Sequence, residues 1–209
     1  LHTLDFGLEG DLLDRGIEPN PQLYVPAAYD PSDPAPLLVL FHGAGGTTLS
    51  WAWTYEHADR VGAALLLVQS RGGTWDLILG SWGDDVAIVD RAMDRVFDRV
   101  AIDPDKVAFG GFSDGASYSL SLGLNNPELV RHVIAFSPGF EMGFRKTPRA
   151  RIYVAHGTRD MVLLVSRTRA MVASLRDAGY PVTYTEFDAG HGILPEIAEA
   201  AFDWLGATP

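Results

Sequence analysis

Four short stretches of the chain are almost continuously apolar: Leu37 to Phe41, Ala64 to Val68, Val133 to Phe136 and Ile152 to Ala155. Runs of this length without polar alternation suit strands that are buried on both faces of a parallel sheet. Val107 to Phe109 makes a fifth run, and Val182 to Phe187, opened by Pro181, a sixth. Leu23 to Val25 and the residues around Thr3 to Phe6 are expected as edge strands with antiparallel pairing. Between these runs the apolar period lengthens. Val86, Val89, Met93, Val96, Phe97 and Val100 recur at three- and four-residue spacing, which predicts a helix over Asp84 to Val100. Asp84 and Asp85 then fall in its first turn, where the helix dipole favours negative charge. Three more helices are expected: Ser113 to about Leu124, stopped by Asn125, Asn126 and Pro127; Ser166 to Ala178, closed by Gly179; and Pro195 to Leu205.

Strand and helix in regular alternation imply an α/β fold, a mostly parallel central sheet with helices on both faces. In such a sheet functional residues collect past the C-terminal ends of the strands. With 209 residues and 47% hydrophobic content, residues 1–209 are expected to form one domain. The longest connection between core elements, Arg71 to Gly83, suffices for a flap and not for a cap domain, so the site is expected to be open.

Charge and composition then narrow the partners. A net charge of -11 repels nucleic acid and anionic membrane surfaces. The absence of cysteine excludes disulfides, a thiol nucleophile and zinc-thiolate sites. No stretch of about 18 apolar residues occurs, so no integral membrane association is expected. Leu1 to Gly10 lacks a basic segment followed by a long apolar one. A cytoplasmic location is expected, with export left open because the first residue is Leu rather than Met.

Chemistry enters at Gly111, Phe112, Ser113, Asp114, Gly115, a G-x-S-x-G pentapeptide one glycine after the run Val107 to Phe109. A serine on a tight strand-to-helix turn has an exposed hydroxyl at a helix N-terminus, as nucleophilic acyl transfer requires. The flanking glycines let neighbouring backbone approach where a Cβ would obstruct it.

Partners for Ser113 are sought past other strand ends. His191, in Asp188, Ala189, Gly190, His191, Gly192, follows the last strand and is the expected general base. His2, His57 and His132 read as surface or structural residues, while His42 and His156 end apolar runs. Asp160, after the strand Ile152 to Ala155, is the favoured orienting acid, with Asp188 and Glu141 as rivals. Oxyanion donors are expected from the backbone of Asp114 and from the loop His42, Gly43, Ala44, Gly45, Gly46, with Ala44 first and Gly45 next. That loop is not a dinucleotide site, because Thr48 stands where G-x-G-x-x-G wants its third glycine, and no Walker lysine follows. Neither a cofactor nor a metal is expected. Trp82, Leu79, Phe140, Met161 and Leu194, near the flap and strand ends, are expected to line an apolar substrate pocket.

Taken with the elbow, the His-Gly-Ala-Gly-Gly loop, Asp160 and His191, the chain resembles the α/β-hydrolase superfamily over essentially its whole length. The order Ser, Asp, His along the chain matches that superfamily. It is similar to small bacterial carboxylesterases of the phospholipase/carboxylesterase type. Trp82, Gly83, Asp84, Asp85, Val86 and Asp103, Pro104, Asp105, Lys106, Val107 are also similar to polyhydroxybutyrate depolymerase-like and feruloyl-esterase-like members. The resemblance implies a serine esterase acting on small-molecule esters, short-chain or small aromatic, through an acyl-enzyme on Ser113. An acyltransferase or a peptidase or amidase using the same residues, and a non-catalytic hydrolase-like binding protein, are the alternatives. Asp114 is the departure, since a carboxylate beside a developing oxyanion opposes it unless the side chain pairs elsewhere.

Overall fold

The computed structural model describes residues 3–5, 21–143 and 148–207. Its centre is an eight-stranded sheet in the order β1-β2-β4-β3-β5-β6-β7-β8. The strands are β1 (Thr3–Asp5), β2 (Gln22–Tyr24), β3 (Ala35–Phe41), β4 (Ala64–Val68), β5 (Ile102–Phe112), β6 (His132–Phe136), β7 (Arg151–Gly157) and β8 (Val182–Phe187). β3 to β8 run parallel, β2 pairs with β4 antiparallel, and β1 pairs antiparallel with β2 at the edge. Phe6, at the end of the expected first strand, lies outside the described residues.

The apolar runs of the central strands are covered on both faces. Leu37, Val39 and Phe41 of β3 pack into one core with α2 (Asp84–Phe97), α3 (Asp114–Asn125) and α4 (Val165–Asp177). Leu38 and Leu40 point the other way, into a second core with α1 (Tyr55–Val61) and α5 (Pro195–Gly206), where Ala58, Phe202 and Leu205 meet them. Full burial stabilises each such large side chain by roughly 1.5–3 kcal/mol, so a polar residue in any of these runs would be costly.

Of the boundaries that differ from expectation, two have a clear physical reason. β5 extends to Phe112, because Gly110 and Gly111 continue the parallel pairing with Leu40 and Phe41 and with Ile134 and Ala135. α2 ends at Phe97 rather than Val100, the chain turning there while the Val100 N–H still bonds the Val96 carbonyl at 2.8 Å. Helix α3, directly behind the pentapeptide, is buried from Gly115 to Leu124. Its serines are tolerated there because their hydroxyls bond the preceding turn, Ser119 to the Ala116 carbonyl and Ser121 to that of Ser117.

At the opposite end of the sheet from the pentapeptide, His132 is 2% exposed, and its Nδ1 has no hydrogen-bond partner among the described residues. Burial, with Arg151, Arg131 and Lys106 nearby, pushes its imidazole down from the ordinary 6.5 to about 4. Between those two pH values the unfolded chain binds the extra proton and the folded chain does not, so folding stability falls as pH drops from about 6.5 toward 4. The loss should approach about 2 kcal/mol after allowance for residual solvent screening. Urea midpoints across this window should show a shallower slope for His132→Phe; an unchanged slope removes His132 as the cause.

Candidate active site

Ser113 sits where β5 turns into α3, with φ 55° and ψ −119°. Few non-glycine residues occupy that region, and the strain persists because the surroundings overdetermine it. The Ser113 N–H bonds the Phe136 carbonyl at 2.9 Å, and its own carbonyl accepts from Ala116 and Ser117. The two glycines are obligatory. A Cβ on Gly111 would lie 2.3 Å from the Gly115 carbonyl oxygen, and one on Gly115 would lie 2.0 Å from that of Phe41.

His191, past β8, brings Nε2 to 2.9 Å from Ser113 Oγ, and its Nδ1 lies 2.6 Å from Asp160 Oδ2. Asp160, past β7, is 3% exposed. Its Oδ1 accepts the Val162 and Leu163 N–H groups, both at 2.8 Å. Burial by itself would raise this carboxyl, but hydrogen bonds from His191, Leu163 and Val162 outweigh it and hold the group below its ordinary value. An ionised Asp160 only accepts, so the neutral imidazole keeps its proton on Nδ1 and turns the Nε2 lone pair toward Ser113. The rival acid Asp188 is exposed and pairs with Arg159 at 2.9 Å. Glu141, past β6, is not among the hydrogen-bond partners of His191 in the described residues, which are Asp160 and Ser113.

The loops carrying Asp160 and His191 are tied together, Thr158 N–H to the Phe187 carbonyl at 2.8 Å and Arg159 N–H to that of Ala189 at 2.9 Å. Gly157 lies between them, and a Cβ there would meet the Gly190 and Ala189 carbonyl oxygens at 2.3 and 2.5 Å. Gly157→Ala must therefore displace the His191 loop. A shift of an ångström costs about 10²-fold, so kcat should fall by about that factor with a lowered Tm; an active, stable variant would show that the loop yields freely.

The loop after β3 lies against the elbow, Gly43 facing Ser113 Cβ and Phe112. His42 is fully buried; its Nδ1–H donates to the Gly43 carbonyl at 2.7 Å, and Nε2 accepts the Ser70 N–H at 3.1 Å. Burial pushes this imidazole below its ordinary value, in keeping with a neutral ring that anchors the loop. Of the two expected donors here, Gly45 is already engaged, its N–H bonding the Gly73 carbonyl at 2.6 Å. Ala44, on the exposed crest of the loop, has no such bond among the described residues. Asp114 opens α3, and its carboxylate is turned onto Thr74, accepting its hydroxyl at 2.6 Å.

A cleft of about 510 Å³ opens beside His191, between the loop after β3 and the start of α5. Trp51, Trp53, His57, Phe112, Ile193, Leu194 and Pro195 form most of its wall. Of the five residues expected in the pocket only Leu194 is among them. Leu79 and Met161 stand 78% and 86% exposed outside the cleft lining, Trp82 lies against Tyr118 beside a separate groove, and Phe140 packs on the core. The cleft's aromatic wall comes from residues 48–57, where a Trp-x-Trp followed four residues later by His57 was the signal available in the sequence. Among the described residues no cluster of His, Asp and Glu has the makings of a metal site.

A serine at an elbow, in line with an imidazole and a buried carboxylate at strand ends, is the arrangement of an α/β-hydrolase. The sequence profile described as phospholipase/carboxylesterase matches residues 82–208. The chain belongs to that family. The enzyme class that goes with this phospholipase/carboxylesterase membership is a serine hydrolase of the carboxylesterase type. Among solved structures, a carboxylesterase from Bacillus cereus is 19% identical, with 92% of this chain and 96% of that one covered at a TM-score of 0.72. A carboxylesterase from Mesorhizobium loti is 21% identical, with 91% and 95% covered and a TM-score of 0.71. A thermostable esterase is 23% identical at a TM-score of 0.75; 97% of this chain is covered, and it spans 62% of that longer protein. These likenesses show the α/β-hydrolase fold, with no cap domain evident. No curated protein matches the chain in sequence. No described helix is long and apolar enough to cross a membrane.

Proposed function

We propose that this carboxylesterase-family chain hydrolyses small esters, short-chain or with a small aromatic group, through an acyl-enzyme on Ser113. The observation that carries the reading is the continuous hydrogen-bonded line from Ser113 Oγ through His191 to Asp160, at 2.9 and 2.6 Å. In this mechanism Ser113 Oγ attacks the ester carbonyl carbon while its proton passes to His191 Nε2. Asp160 stabilises the imidazolium that results. The negative charge gathers on the former carbonyl oxygen, which the Ala44 and Asp114 N–H groups would meet. Collapse expels the alcohol, which takes the proton back from His191, and water then repeats the cycle on the acyl-enzyme.

Substrate size follows from the cleft. A cleft of about 510 Å³ with aromatic walls accommodates a short acyl or a single-ring group. A fluorophosphonate probe should label Ser113 and no other residue, and kcat/KM over a chain-length series of esters should peak at the short members. No labelling of the folded protein would overturn the reading, and a maximum at long chains would overturn the substrate class.

A further inference from the structure

Three consecutive residues of the flap, Gly73, Thr74 and Trp75, bond to the two segments on either side of the elbow, the loop after β3 and the start of α3. The Gly73 carbonyl accepts the Gly45 N–H at 2.6 Å, and the Trp75 indole N–H donates to the His42 carbonyl at 2.8 Å, so both hold the loop after β3. Thr74 reaches across to the other side, its hydroxyl donating to Asp114 Oδ2 at 2.6 Å. The strap is firmly seated, because Trp75 is fully buried, stacked on Tyr118 at 4.8 Å and set edge-on to Phe41 at 5.2 Å. Thr74 is therefore presented by a rigid neighbour, and its contact with Asp114 links one proposed oxyanion donor to the loop that carries the other.

We propose that Thr74 is a positioning residue for the oxyanion hole, acting by holding the Asp114 carboxylate away from the developing negative charge. The inference rests on the reading of Ser113 as nucleophile. Asp114 supplies an N–H to the oxyanion, yet its own side chain carries the same sign of charge on the same residue. A freely rotating carboxylate there would spend part of its time facing the reacting oxygen and would oppose it. A hydroxyl donor on an anchored strap removes that freedom through a charge-assisted hydrogen bond, and also sets the tilt of the first turn of α3. Placement at the helix start gives the carboxylate a second favourable interaction, with the positive end of the dipole.

The test is a double-mutant cycle with an activated short-chain ester. Thr74→Val keeps the shape and removes the donor; kcat should fall about tenfold, the size expected of one hydrogen bond to a charged group, with KM changed less than about twofold. Thr74→Ser restores the hydroxyl and should recover most of the loss. In an Asp114→Ala background, where no carboxylate needs holding, Thr74→Val should change kcat by less than about twofold. The rate of fluorophosphonate labelling at Ser113 should fall in parallel with kcat. The proposal is overturned by wild-type kcat in Thr74→Val, by an equal loss in both backgrounds, by a loss confined to KM, or by failure of Thr74→Val to fold, since that makes Thr74 a structural residue. Failure of the wild type to label removes the esterase reading itself, whereas a labelled wild type with unchanged turnover in Thr74→Val removes only the role of Thr74.

Discussion

Ser113→Ala should lower kcat by about 10⁶-fold with KM nearly unchanged. The size follows from what the single oxygen does. Without it no acyl-enzyme forms, and His191 and Asp160 lose the only proton transfer they are placed to assist. What survives is activation of water by the remaining N–H donors and by substrate binding, worth about 10³–10⁴ over the uncatalysed reaction. The fold should be untouched or slightly improved, because the strained φ of 55° belongs to the elbow and is held by Gly111, Gly115 and the Phe136 carbonyl rather than by the hydroxyl. Single-turnover and steady-state rates on purified, folded variant decide it; activity within tenfold of wild type would place the nucleophile elsewhere.

Asp160→Asn should lower kcat by about 10⁴-fold, and the local hydrogen bonds say why. The Val162 and Leu163 N–H groups, both at 2.8 Å, require an acceptor at the Oδ1 position, so the amide oxygen must take that place. The NH₂ group is then directed at His191 Nδ1, where the carboxylate accepts at 2.6 Å. An amide donor there draws the lone pair to Nδ1 and leaves the proton on Nε2, facing Ser113 Oγ with nothing to accept the serine proton. The imidazolium formed in the transition state also loses its counter-charge. His156 makes the exchange worse, since its Nε2, 3.2 Å from Asp160 Oδ2, already donates to the Leu163 carbonyl at 2.7 Å. Measured pH–rate profiles should show the loss across the whole range; a variant that recovers wild-type kcat at high pH would mean that Asp160 only tunes the protonation of His191.

Much of this site is legible in the sequence. Parallel strands covered on both faces announce themselves as unbroken apolar runs, and the strand-end rule then directs attention to the few polar residues that follow them. Ser113, Asp160 and His191 were reached in that way, 31 and 78 residues apart along the chain and within hydrogen-bond distance in the fold. The choice of Asp160 over Asp188 could be only a preference at that stage. Both follow strand ends by a few residues, and what separates them is that Asp188 faces solvent and Arg159 while Asp160 is enclosed beneath the imidazole.

The pocket was not legible, and the reason is geometric. A strand end indicates the edge of the sheet on which a loop emerges, but not which side of the nucleophile that loop folds over. Phe140 turned inward to the core, Met161 outward to solvent, and the cleft wall came instead from the short helical turn after the Gly-rich loop. Gly45 makes the same point within that loop, for nothing local in the sequence indicates that its N–H is taken by Gly73 from the flap.

The sequence by itself determined the alternation of strand and helix, the glycines that permit the elbow, and the serine, histidine and aspartate that follow strand ends, because each of these depends on local periodicity, φ/ψ freedom or side-chain chemistry. Only the tertiary structure decided which carboxylate meets His191, which N–H groups are left free above Ser113, where the Asp114 charge is turned and which aromatic rings enclose the cleft. Those depend on contacts between residues tens of positions apart, where packing rather than local preference sets the outcome.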